Sequence, residues 1–179
     1  MSSIATGTSF PESSEFAPYY GRYIDLVENG DIVQTLQNQI DNTASLLSDL
    51  SEVQGNYRYA PGKWSVKEIV GHLTDSERVF AYRALRIARA DKTPMEGFEQ
   101  DDYVRLGGFD RRRLPELVQE FAAVRKATLL LLGSLDSDAW LRRGVANNNE
   151  ISVRALAYII AGHELHHRAV IREKYLGKT

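Results

Sequence analysis

Apolar residues recur along most of this chain at the three-and-four spacing that gathers them on one face of a helix. Ile32, Val33, Leu36, Ile40, Ala44, Leu47 and Leu50 follow Asp31, a residue suited to the N-cap, and predict a first helix. The turn "YAPGKW" interrupts the pattern. "SVKE", from Ser65 to Glu68, then forms a capping box in which the serine caps a second helix and the glutamate reaches back. Ile69, Leu73, Phe80 and Ile87 make the core stripe of that helix, which is predicted to run to about Ala90. Leu114, Leu117, Val118, Phe121, Val124, Leu131 and Leu132 predict a third helix over Leu114 to Gly133, with a short helical turn near "DSDAW". After the polar turn "GVANNNE", Ser152 caps a fourth helix with Leu156, Ile160, Val170 and Ile171 on its inner stripe. Gly177 suits the C′ position that ends it.

Four amphipathic helices, with no segment of sustained strand alternation, predict an all-α fold: a four-helix bundle. The stretch "DKTPMEGFEQDDYVRLGGFDRRR" between the second and third helices is too long for a simple turn, and it either crosses the bundle or shapes a pocket. Residues 1–30, punctuated by Ser, Pro and Gly, read as an N-terminal arm. Residues 31–179 read as the bundle domain.

Composition acts mainly by exclusion. A chain of 179 residues, 43% of them hydrophobic, can build a sizeable single core. It has no cysteine, which removes disulfides, thiolate metal ligands and a cysteine nucleophile, so any metal must be held by nitrogen or oxygen. With 22 basic and 24 acidic residues the net charge is -2, which gives no broad electrostatic reason to bind nucleic acid or an anionic membrane. The polar and acidic start of the chain does not fit a secretory signal or a transit peptide, and the apolar runs "ATLLLLG" and "ALAYIIAG" are too short to cross a bilayer. A cytoplasmic protein is the expectation.

The fourth helix contains "HELHH", from His163 to His167, which spells the H-E-x-x-H signature of zinc metalloproteases. Helical phase puts His163 and His167 near the centre of the inner stripe, and Glu164 and His166 near its opposite edges. Imidazoles in an apolar seam need partners, and a shared metal ion would supply one. Of the four histidines in the chain only His72 remains, on one flank of the second helix with Ser76, Val79 and Arg83 along the same side. Alone, His72 would read as a hydrogen-bonded structural histidine; beside an i, i+4 pair it reads as the third ligand. Three neutral imidazoles with one open position match a catalytic zinc site, and nickel, iron or another divalent ion is compatible as well. Zincin proteases take their third ligand from downstream, where this chain has none: position 170 is valine, Glu173 lies on the same helix, and no sheet is predicted.

The segments "YRYAPGKWSVKEIVGHLTDSERVFAYRALR" and "NNNEISVRALAYIIAGHELHHRAVIREKY" resemble the DinB-like superfamily, and the resemblance covers the chain from about Tyr20 onward. It implies a four-helix bundle, often a homodimer, with a divalent metal held by one histidine of the second helix and two of the fourth. In this sequence those are His72, His163 and His167; His166 falls outside the pattern. The superfamily includes proteins assigned as metal-dependent hydrolases, enzymes that attach bacillithiol or mycothiol to electrophiles, a thiol-dependent isomerase, and members without known activity. The expectation is therefore a metal-dependent hydrolase or thiol S-transferase acting on a small molecule. In the transferase a low-molecular-weight thiol serves as cosubstrate, because the chain has no thiol of its own. Glu164, Arg83, Tyr82 and Tyr103 are candidates for the pocket, and no general base is assigned. The competing expectation is a non-catalytic, stress-related metal-binding or dimeric scaffold.

Overall fold

Three of the four predicted helices begin where a side chain takes up the free N–H groups of the first turn. In the computed structural model, which describes residues 9–177, two short 3-10 turns lead into α1 (Gly21–Ile24). Asp31 then caps α2 (Ile32–Ser48) by accepting from the backbone of Val33 and Gln34. Next come α3 (Glu52–Asn56) and α4 (Val66–Ala88), the latter opened by the predicted Ser65–Glu68 capping box. The long connection carries α5 (Gln100–Gly107) and delivers the chain to α6 (Leu114–Gly133). Instead of a local cap, α6 has its Leu114 N–H bound by the Glu52 carboxylate at 3.0 Å. After α7 (Ser137–Leu141), Ser152 caps α8 (Val153–Val170), which runs on into a π-helical turn, Ile171–Tyr175. Residues 1–8 of the expected arm and 178–179 of the expected bundle domain lie outside the described residues.

The predicted helices are α2, α4, α6 and α8. Both α2 and α4 pack against α6 and α8. Helices consecutive among these four in the chain order α2, α4 therefore stand at opposite corners, while α4 and α8 are neighbours. This arrangement brings His72 on α4 beside the histidines of α8.

One feature departs from the sequence expectation. The polar turn is the tip of a β-hairpin: β1 (Arg143–Ala146) pairs antiparallel with β2 (Asn149–Ser152), and Asn147 and Asn148 take positive φ of 48° and 60°. Such a two-residue turn matches the twist of the flanking strands. Met95 of the long connection bridges to Ala146, with Met95 N–H donating to the Val145 carbonyl at 3.0 Å. The connection thereby wraps one end of the bundle and shapes a pocket there.

Apolar burial is split in two. One cluster holds Leu36, Phe80, Ile87, Trp140, Leu156 and Ile160; the other holds Leu47, Ile69, Leu73, Leu117, Phe121 and Ile171. Each fully buried side chain of this kind contributes roughly 1.5–3 kcal/mol. Between them lies a waist of buried polar residues supplied by all four bundle helices, and the histidines are part of it. Residues 9–30 close over α8: buried Glu15 accepts from Ser152 Oγ at 2.6 Å and from Arg154 Nε at 2.7 Å, and Ile24 and Val27 join the first cluster. Burial works against the Glu15 charge, but the bonds from Arg154 and Ser152 hold its pKa below the usual carboxylate range. Among the described residues no helix is long and apolar enough to cross a membrane.

Candidate metal centre

His163 and His167 stand one turn apart on α8, on the face turned to α4, and His72 meets them from across that contact. The nitrogens of these three residues that could hold a metal ion lie within 4.8 Å of one another. His163 Nε2 is 3.0 Å from His72 Nε2 and 3.1 Å from His167 Nε2. A single imidazole nitrogen carries either one proton or one lone pair, so His163 Nε2 can complete a hydrogen bond with only one of these neighbours. A cation bound by all three rings would satisfy all three lone pairs. The spacing suits one: bond lengths of about 2.0–2.1 Å around a tetrahedral zinc place neighbouring nitrogens about 3.3 Å apart.

Protonation favours the same reading. Burial pushes the His72 pKa down to about 4. His163 and His167 lie well below the ordinary histidine value, first through burial and then through the neighbouring imidazoles and Arg22. All three rings are neutral near pH 7, as ligands must be. Ser76 Oγ stands 3.4 Å from His72 Nδ1, whereas His167 Nδ1 is buried without a hydrogen-bond partner.

Two aromatic residues frame the cluster. Trp64, just before the α4 cap, places its ring 4.7 Å from His72 and nearly parallel to His167 at 6.4 Å. Tyr23 of α1 meets His163 edge-on at 5.2 Å, and its hydroxyl accepts from Arg22 at 3.0 Å. That approach depends on Gly162. A Cβ there would fall 2.0 Å from the Tyr23 carbonyl oxygen, so only glycine lets α1 close onto α8 at this point. Burial raises the Tyr23 pKa to about 12, with a hydrogen bond to Tyr19 adding to it, so the phenol keeps its proton.

A cleft of about 310 Å³ opens on His72 and His163. Tyr19, Tyr20, Tyr23 and Phe80 form its aromatic wall, Glu99 and Asp101 come from the long connection, and Asn147 and Asn149 come from the hairpin. Ser76 lines it too, whereas Val79 and Arg83 of the same flank of α4 do not. The size is that of a small-molecule site.

Other candidates lie elsewhere. Glu164, expected at the edge of the inner stripe, is completely buried in the waist. Its Oε2 is 2.8 Å from Arg125 Nη1, an ion pair without the alignment of a hydrogen bond, and the Thr43 hydroxyl donates to Oε1. Arg125 also grips Glu77 in a fork, Nε and Nη2 each 2.8 Å from a carboxylate oxygen. Burial opposes the Arg125 charge, but Glu77 and Glu164 outweigh it and hold the pKa above the ordinary arginine value. Glu164 is thus a structural anchor. Arg83 is buried and donates to the Glu96 carbonyl at 2.6 Å; Tyr82 and Tyr103 are exposed, and none of these three lines the cleft. His166 is exposed beside His167 and outside the three-histidine group.

Sequence reasoning missed Tyr23, because α1 is too short to show a period. The Arg125 network had a signal: Glu77 falls between Leu73 and Phe80 on the α4 stripe, and Arg125 between Phe121 and Thr128 on that of α6.

Comparison with known proteins agrees with this architecture. The model of the DinB superfamily matches residues 35–171. A protein of Oceanobacillus iheyensis named "Putative metal-dependent hydrolase" is 27% identical over 143 residues, covering 78% of this chain and 79% of that one. The structure of YfiT from Bacillus subtilis, described as a probable metal-dependent hydrolase with an unusual four-helix bundle topology, superposes with a TM-score of 0.74. It is 18% identical and covers 94% of each chain, a likeness of fold. This chain belongs to the DinB superfamily.

Proposed function

We propose that this protein is a metal-dependent enzyme acting on a small molecule, with a divalent ion (zinc, nickel or iron) held by His72, His163 and His167. The observation that carries the reading is the convergence of three neutral Nε2 atoms, 3.0 and 3.1 Å apart in two pairs, two of them on residues, His72 and His163, that line an aromatic cleft. An ion there lowers the pKa of a water or thiol that reaches it. The names of the relatives favour hydrolysis. In that reading the cleft seats an ester or amide against the aromatic wall that Tyr19, Tyr20, Tyr23 and Phe80 supply. The homodimeric state and cytoplasmic location are carried as part of the same proposal.

One observation favours thiol transfer as a second reading. The glutamate that serves as general base in H-E-x-x-H proteases is sealed against Arg125 here. A thiol, ordinarily ionising near pH 8.5, needs less help from a base than water does.

Protein loaded with each metal in turn should be incubated with an ester and amide panel, and separately with a model electrophile plus several low-molecular-weight thiols. Metal-dependent turnover in one panel, lost in His72→Ala, is the expected result. No turnover in either would return the chain to the non-catalytic scaffold.

A further inference from the structure

A second cleft, of about 380 Å³, reaches the same centre from another side. Among the described residues it shares only Asp101 with the first: one opens on His72 and His163, the other on His166 and His167. Their walls differ. The second is built from Tyr59, Trp64 and Tyr175 over Ile69 and Val170, with Lys63 at its edge.

The rings are fixed by one another. Tyr59 and Tyr175 stand perpendicular, 5.1 Å apart with an interplanar angle of 89°, and Tyr57 adds a further edge contact to Tyr175 at 6.1 Å. The Tyr175 hydroxyl donates to the Trp64 carbonyl. The π-helical turn supports this corner: Leu176 N–H donates back to the Ile171 carbonyl at 3.1 Å and closes the turn that carries Tyr175. A perpendicular ring pair offers one face and one edge, the two contacts a flat ring prefers, and rings already held in place lose little freedom on binding. Trp64 joins this corner to the centre, since its ring also packs on His72 and His167.

We infer that this second cleft is a binding site for a planar aromatic small molecule, seated beside His167 while the first cleft holds another reactant. The role of that ligand as a reactant rests on the metal-enzyme reading; its binding does not.

Calorimetric titration of the full chain with 2-naphthoate tests the inference, with cyclohexanecarboxylate as a probe of the same charge but no flat ring. 2-Naphthoate is expected to bind metal-free and metal-loaded protein alike, about tenfold tighter than the control. Val170→Trp, which fills the cleft, should weaken binding about tenfold. Tyr59→Leu, which removes one half-exposed wall, should weaken it about threefold, and Asn149→Trp, in the first cleft, should leave it within about twofold. Absence of binding, equal affinity for the two probes, or loss in Asn149→Trp but not in Tyr59→Leu overturns the inference. Elemental analysis of the same samples separates the two claims. Naphthoate binding without metal uptake contradicts the metal centre and supports the aromatic cleft, whereas metal uptake without naphthoate binding contradicts the cleft alone.

Discussion

Two polar clusters occupy the waist of this bundle, built from adjacent residues of the same helices. Ser76 and His163 belong to one; Glu77 and Glu164, the next residues along, belong to the other. In the Arg125 network one guanidinium holds two carboxylates: a forked pair to Glu77 and an ion pair to Glu164, with further bonds from Arg125 to the Leu36 carbonyl at 3.1 Å and from Gln39 to the Ala161 carbonyl at 3.1 Å. In the histidine cluster three neutral rings direct nitrogens at a common point, and His163 Nε2 cannot satisfy both neighbours. The first is sealed, while the second opens on clefts. Buried polarity that closes on itself holds the helices in register, and buried polarity that remains incomplete is where a ligand belongs.

The comparison predicts opposite responses to mutation. Arg125→Ala strands two buried carboxylates and should cost about 3–5 kcal/mol in urea unfolding, the largest effect expected. A loss under about 1 kcal/mol would mean that the network is not the clamp described here. Gly162→Ala should follow, at about 1–3 kcal/mol, because the new methyl meets the Tyr23 backbone and pushes α1 off α8. The same variant should weaken contact between Tyr23 and His163, visible as a shifted Tyr23 ring resonance by NMR.

Acidification should produce a graded loss. His72 titrates near 4 in the folded chain and near 6.5 when unfolded. Between those values the unfolded chain binds more protons, so the metal-free protein has its full stability above about pH 6.5 and loses it as pH falls towards 4. Melting temperatures taken across that window should decline in wild type and decline less in His72→Ala. Equal slopes would contradict the burial of a neutral His72. The smallest effect is expected from His72→Ala itself at pH 7 without metal, within about 1 kcal/mol of wild type, because deletion relieves one of two competing nitrogen contacts.

Helix starts were legible because they are local: Asp31, Ser65 and Ser152 lie within a turn of the groups they cap. The three histidines were legible because i, i+4 spacing fixes two of them and only one other candidate could complete the set. The hairpin was not, since β1 and β2 are four residues each and polar at their tips, and Asn147 and Asn148 announce a turn but not its strands. Glu164 was misplaced because helical phase drawn through apolar residues alone treats a carboxylate as a surface group. Its burial depends on Arg125, 39 positions away in sequence and on a different helix. Tyr23 depends on a backbone contact at Gly162 that no periodicity reports.

The central claim is that His72, His163 and His167, and not His166, hold one metal ion. Elemental analysis of purified wild type and the four single alanine variants, each dialysed against zinc or nickel, tests it most directly. About one ion per chain is predicted for wild type and His166→Ala, and close to none for the other three variants. Full metal content in His72→Ala, or its loss in His166→Ala, would contradict the assignment.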